Sequence, residues 1–278
     1  MEPADARRLW RALEPYHGMI YFVPEGGEEY TAVGLEPGRM GYFASRSAPL
    51  GPVQADVVIA TFFNFHPDLV RSVIPAAWTL ASPESILAAR LRAVDRSLRR
   101  LLGDDVVDGE DVAEAAGLAR TAAEGCFPAG RPLYAAHASL PWPADAHLAL
   151  WHAASLLREF RGDGHIAALV ANGIDPLTAL VLHGGTGDVP VHLLRATRQW
   201  PDDEWEARAD ELRADGVLDG DGMLTEQGRA LRQRVEDTTD AIALAPWEHL
   251  GPDGCARLRE LGKGLSKMVL AAGAIPGR

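Results

Sequence analysis

Between Pro83 and Leu102 the apolar residues Ile86, Leu87, Leu91, Val94, Leu98, Leu101 and Leu102 recur at three- and four-residue steps, with arginines on the other face. Only a helical repeat keeps such side chains on one stripe, so this segment cannot be a strand. Ser82 offers a side-chain oxygen to the first free backbone N–H groups, and Pro83 suits the first helical position. Glu110–Glu124 is Ala-rich, and Ala144–Phe160 follows the rigid Leu140-Pro-Trp-Pro turn; both read as helices. A sharp break is expected at Gly162, where Asp163 would cap a further short helix over His165–Asn172, followed by another over Asp175–His183. The last helix, Asp253–Ala271, is expected to pack back on the body or on a second copy. Alternating β-branched residues are confined to Met19–Val23 and a stretch after Gly216. Gly26–Gly51, dense in Gly and Pro, reads as a structured loop anchored by Tyr30, Met40, Tyr42, Phe43 and Leu50. The expected fold is all-α with one small β-wing.

A chain of 278 residues is long enough for two domains with proper cores. The run Gly184-Gly-Thr-Gly-Asp marks a boundary between a helical ligand-binding or catalytic domain (1–184) and a smaller unit (185–278). A net charge of −12 disfavours general binding to nucleic acid or an anionic membrane. The longest apolar run, Ala55–Phe65, is about half a membrane span and contains Asp56 and Asn64. With no secretory signal at the N-terminus, a cytoplasmic protein with no membrane partner is expected. Two cysteines, Cys126 and Cys255, are too few for a disulfide framework or a thiolate metal site. No His-Glu-x-x-His, Cys-x-x-Cys, phosphate loop or dinucleotide fingerprint is present, so neither metal nor cofactor is expected. Twenty-five arginines beside two lysines suggest high-GC coding rather than a designed basic patch.

The stretch Val189–Asp240 has the order of a winged helix-turn-helix. Val191-His-Leu-Leu-Arg-Ala-Thr is its first helix, Glu204–Asp215 fills the recognition-helix slot, and Gly216-Val-Leu-Asp-Gly-Asp-Gly-Met-Leu-Thr-Glu-Gln-Gly-Arg supplies wing and exit. This pattern resembles regulators of the MarR type. Its charge is wrong for DNA: thirteen Asp and Glu stand against seven Arg between Pro190 and Asp240. DNA affinity rests on cations that neutralise phosphates, so this surface is expected to repel a duplex.

Polar residues suited to chemistry gather upstream. Tyr16-His-Gly-Met-Ile-Tyr holds His17 and Tyr21; Gly41–Gly51 holds Arg46; Phe62-Phe-Asn-Phe-His holds Asn64. Trp151–His165 is the densest cluster, and the seven-residue spacing of Trp151 and Arg158 puts both on one helical face. The expected catalytic residues are His152, Asp163 and His165, which could trade protons. The expected ligand-binding residues are His17, Tyr21, Arg46, Asn64, Trp151, Arg158 and Arg161, which together suit an anionic small molecule. Each has a plainer alternative: Asp163 as a helix cap, Arg158 and Arg161 as partners of a helix C-terminus, His152 and His17 as packed core residues.

Nearly end to end, the chain resembles an actinobacterial helix-turn-helix family. The segments that carry this resemblance are Pro15-Tyr-His-Gly-Met-Ile-Tyr-Phe, Gly41-Tyr-Phe-Ala-Ser-Arg-Ser-Ala-Pro-Leu-Gly, Phe63-Asn-Phe-His-Pro, Leu150-Trp-His-Ala and Leu157-Arg-Glu-Phe-Arg-Gly-Asp-Gly-His. It implies a winged helix. Phe160 departs from the pattern, in which a histidine is expected. Two functions compete: a small-molecule protein, with an acid–base enzyme of specialised metabolism as its finer form, whose winged helix serves packing or homodimerisation, and a ligand-responsive regulator that binds an operator. An acidic scaffold for a basic partner is a third.

Overall fold

The structure is a computed structural model that describes residues 1–275, which form sixteen α-helices and two short 3₁₀ turns. In chain order the helices are α1 (Pro3–Gly18), α2 (Pro24–Ala32), α3 (Arg39–Ser47), α4 (Ala55–Phe62), α5 (Pro67–Arg71), α6 (Ala77–Leu80), α7 (Pro83–Leu102) and α8 (Asp104–Val107). There follow α9 (Glu110–Glu124), α10 (Pro132–Ala138), α11 (Ala146–Ala171), α12 (Pro176–Gly184), α13 (Val191–Arg198), α14 (Asp202–Ala214), α15 (Glu226–Ile242) and α16 (Ala245–Ala271). The bounds of α7 match those read from periodicity, those of α9 match the Ala-rich segment, and the Ser82 hydroxyl accepts the Ser85 N–H at 3.2 Å.

Four local expectations are corrected. Gly26–Gly51 is not a loop: it contains α2 and α3, because Pro24 opens a helix and the Gly and Pro residues delimit helices instead of dissolving them. Gly41 is needed for the packing of these two, since a Cβ there would lie 2.6 Å from the Tyr30 ring. Met19–Tyr21 is a 3₁₀ turn, not a strand. The break at Gly162 is absent, and α11 runs unbroken through it, buried along most of its length. Tertiary packing outweighs the weak helix preference of Gly162 and Gly164, and a Cβ on Gly164 would sit 2.7 Å from the Arg131 guanidinium. Finally, the wing carries no strand among the described residues. One isolated bridge joins Leu218 and Leu224, and the Asp219 carboxylate caps the turn by accepting the N–H groups of Asp221 and Met223.

Three large cores organise the molecule, beside a small fourth cluster of Ala123, Tyr134, Leu156 and Phe160. The first joins α1, α9, α16, the second half of α7 and the first half of α11, around Leu13, Tyr16, Leu98, Leu150, Trp151, Leu258 and Val269. A second gathers α2 to α6 against the start of α7, around Phe43, Phe62, Phe65, Ile74 and Ile86. The third surrounds α12, α13 and α14 with Leu177, Leu180, Leu194, Trp205, Leu212, Val217 and Leu224. It begins at Ala168, inside α11, while α16 lies in the first core, so the cores cross the expected division at 184/185. Helix α15 is clamped to the body: Asp240 accepts from Arg7 at 2.6 Å and from Arg161 at 2.9 Å, and Arg131 donates to the Ile242 carbonyl at 2.6 Å. No single helix among the described residues is long and apolar enough to cross a membrane; α11 and α12 meet that standard of length and composition only together, across a 101° bend.

Candidate functional site

The end of α1 and the middle of α11 meet through stacked rings. His17 lies parallel to Trp151, centroids 5.5 Å apart, and the indole N–H of Trp151 donates to the His17 carbonyl at 3.1 Å. The Ser155 hydroxyl donates to the Trp151 carbonyl at 2.9 Å, so His17 Nδ1, 2.9 Å from that hydroxyl, must be the donor toward it. His17 Nε2 is therefore the acceptor, and it receives the Tyr21 hydroxyl at 3.2 Å. Tyr21 in turn accepts from Arg90 Nη2 at 3.2 Å. Burial, reinforced by the charges of Arg158 and Arg90, holds His17 well below its ordinary pKa and keeps it neutral.

Beside this relay lies an arginine cluster. Arg46 of α3 grips Glu159 of α11 with two parallel bonds of 3.0 and 2.7 Å, and Arg158 donates to the same carboxylate at 2.9 Å and to Glu14 at 3.2 Å. Burial alone would raise the Glu159 carboxyl, but the adjacent Arg46 and Arg158 charges outweigh it and hold the group well below the carboxylate range. Arg90 of α7 is 2% exposed and has only neutral partners: the Ser45 carbonyl at 3.0 Å, Tyr21, and His137 at 3.3 Å. Its Nε has no partner among the described residues. Tyr21, Tyr42, Phe62 and Phe65 line the cluster, with Arg46 4.5 Å over the Phe62 ring. Arg46 and Arg158 sit deep among protein atoms, yet 11% and 23% of their side-chain surface stays open. That residual access is what makes the cluster a crevice: a partly open charged patch between α1, α3, α7 and α11.

The outer end of the crevice is held by strained backbone. Phe63 has φ 60° and ψ −66°, and the Asn64 N–H bonds the Phe62 carbonyl at 2.8 Å, a tight γ-turn of the unfavourable kind. The turn sends Phe62 and Phe65 into the second core and Phe63 against the third. Asn64 meets the helix-turn-helix: its side-chain oxygen accepts from Arg198 Nε at 3.3 Å, and its carbonyl from the Trp200 indole at 3.1 Å.

Helix α14 is different in kind. Asp202, Asp203, Glu204, Glu206, Asp210 and Glu211 are exposed, whereas its buried residues are Trp205, Ala209 and Leu212. Each nearby guanidinium is already engaged: Arg195 with Asp202 and Glu206, Arg208 with Asp175 and Glu211, Arg213 with Asp210. A family model described as a helix-turn-helix family matches residues 6–276. The chain belongs to this helix-turn-helix family. No curated protein and no solved structure matches it.

Within this helix-turn-helix protein, His17, Tyr21, Arg46, Trp151 and Arg158 converge on the crevice, and Asn64 borders it. The other four expected residues lie elsewhere and do not meet. His152 is two turns from Glu159 along α11, packed edge-on to Trp142 at 4.8 Å, with Nε2 unpartnered and burial lowering its pKa to about 4. Asp163 caps α10 from outside by accepting the Tyr134 N–H at 2.9 Å, and burial raises its pKa to about 6. Arg161 and His165 face α15, pairing with Asp240 and with the Thr239 hydroxyl at 3.0 Å. Two surface grooves of about 590 and 370 Å³ flank Gly130, but their charged lining is Arg131 and Glu248 in the larger and Asp163 in the smaller, among mostly small apolar walls. Convergent polar groups, not open volume, single out the crevice. Glu159, Arg90, Ser155, His137, Tyr42, Glu14 and Arg198 were missed as site residues. Arg90 had a readable signal, since it interrupts the stripe Ile86, Val94, Leu98 at four-residue spacing. Arg198 had none, because its neighbour Asn64 is far away in the chain.

Proposed function

We propose that this protein binds a small anionic molecule with a planar or aromatic part in the crevice between α1, α3, α7, α11 and the helix-turn-helix turn. One observation carries the reading. Four guanidiniums (Arg46, Arg90, Arg158 and Arg198) face two carboxylates, Glu14 and Glu159, and neither Arg90 nor Arg198 has an acidic partner among the described residues. Buried charge without a counter-charge is costly, and a bound carboxylate or phosphate would offset it. The rings of Tyr21, Tyr42 and Phe62 offer faces for a flat ligand. The finer version, an acid–base enzyme of specialised metabolism, finds its support in the relay rather than in His152, Asp163 and His165: the Tyr21 hydroxyl is backed by Arg90 and His17. Titration calorimetry with benzoate and inorganic phosphate tests the reading. Arg158→Gln should weaken binding by about tenfold or more, the worth of one charged hydrogen bond. Absence of binding by either anion at millimolar concentration, with an unshifted thermal midpoint, would overturn it.

A second reading is favoured by the family match: a MarR-like, ligand-responsive regulator. The paired arginines and open carboxylates of α14 speak against it, because that face offers no spare cation to phosphates. A gel shift with genomic fragments at low salt decides; retardation at micromolar protein would reverse the preference.

A further inference from the structure

We infer that Arg198, delivered by the first helix of the helix-turn-helix, is an anion-binding residue of the same crevice, so that a flat dianion would bridge the body and the helix-turn-helix unit. This rests on the reading of the crevice as an anion site, and it names both the ligand class and what binding does.

Arg198 ends α13 and points inward. Its guanidinium lies 4.6 Å over Phe65, whose ring is 5.6 Å from Tyr42, and the Tyr42 hydroxyl accepts from Arg46 at 3.3 Å. Aromatic rings thus connect the two guanidiniums. Asn64 and the adjacent Thr197 hydroxyl, both uncharged, are its side-chain partners, at 3.3 and 2.9 Å. Burial, followed by the like charges of Arg39, Arg46 and Arg158, pushes its pKa below the usual range. By contrast Arg195, three residues earlier on the same helix, is held by two carboxylates. A structural anchor needs only the contacts already in place. The Arg198 carbonyl accepts the His66 N–H at 2.9 Å, Trp200 stands 5.0 Å from His66, and Arg39 donates to the Ala196 carbonyl at 3.4 Å. These contacts dock the turn alongside the Arg198 bonds to Asn64 and the Phe65 ring, and none of them supplies a negative charge to balance the guanidinium. One acidic group of a ligand would engage Arg46 and Arg158 at the inner end, and a second would engage Arg198 at the outer end.

The test uses the full chain, with benzoate and the three benzenedicarboxylates as probes in calorimetry, and amide exchange read over Val191–Arg198. At least one dicarboxylate should bind about tenfold more tightly than benzoate. Arg198→Gln should weaken that dicarboxylate by about tenfold or more, down to the benzoate level. Asn64→Asp, which neutralises Arg198 in place, should do the same, and it guards against a folding defect in Arg198→Gln. The bound dicarboxylate should slow exchange across α13, and benzoate should not. If benzoate binds in an Arg158-dependent manner while both variants leave the dicarboxylates untouched, the inference falls and the crevice stands. If no probe binds the unmodified chain, the crevice reading falls and takes the inference with it.

Discussion

Helix α14 and the crevice are both rich in charge, and they use arginine in opposite ways. On α14 carboxylates outnumber guanidiniums, all lie at the surface, and every arginine has an acidic neighbour within 3.1 Å. In the crevice guanidiniums outnumber carboxylates, and several are shielded from water. The number of arginines says little about what a surface can bind. Whether a guanidinium still has a vacant charge to satisfy, and how little water screens it, decides the matter.

The strongest way to break this contrast is to remove the shared carboxylate. Glu159→Gln leaves Arg46 and Arg158 buried against a neutral group and should cost about 3–5 kcal/mol in urea unfolding. The matched surface change, Glu206→Gln on α14, should stay within about 0.5 kcal/mol. Equal losses would mean that the crevice is as well solvated as the surface.

Acid should reach the body before it reaches the acidic helix. Burial lowers His137 to about 3 and both His152 and His165 to about 4, each below an unfolded value near 6.5. Groups depressed in this way contribute stability that is present above pH 6.5 and lost as pH falls toward 4. Asp163 has the opposite sign: raised to about 6, its contribution is present below pH 3.8 and lost as pH rises through 6. The thermal midpoint should therefore fall between pH 6.5 and 4.5, and Asp163→Asn should steepen that fall by removing the opposing contribution. A flat midpoint across this interval would show that these histidines are solvated.

Charge reversal sharpens the contrast from the other side. Asp202→Lys, Glu206→Lys and Asp210→Lys together free Arg195 and Arg213 from their acidic partners and add three cations to α14. Non-specific DNA retention at low salt should rise about tenfold or more. No gain would mean that shape, rather than charge, keeps α14 from a duplex. The smallest effect belongs to His152, whose Nε2 is buried without a partner. His152→Leu should change stability by less than about 1 kcal/mol in either direction, since the lost ring contact with Trp142 is offset by relief of the stranded nitrogen. A loss several times larger would reveal a hydrogen-bonded water or ligand at that nitrogen.

Sequence periodicity carried the longer helices far. Pro83–Leu102 was legible to the residue from its apolar stripe, and Glu110–Glu124 from its Ala-rich composition, because both signals lie within a few turns of chain. Misreadings came where glycine or proline has a tertiary purpose. Gly162 and Gly164 signal a break in isolation, but within α11 the second admits Arg131, and packing on all sides carries the helix onward. In the crevice, the residues that announced themselves were those close together in the chain, such as Trp151 and Arg158. Arg161, His165 and Asp163 belong to the same stretch, but 100° per residue turns them toward α15 and α10.

By itself the chain determined its helical class, the helix order of the helix-turn-helix and the acidic face of α14, since these depend on neighbours within a few positions. Tertiary structure alone decided which arginines share a carboxylate and which are left without one. That outcome depends on distances between residues such as Arg46 and Glu159, or Asn64 and Arg198, more than a hundred positions apart. Coulomb attraction and desolvation act through space, and local spacing along a helix does not encode them.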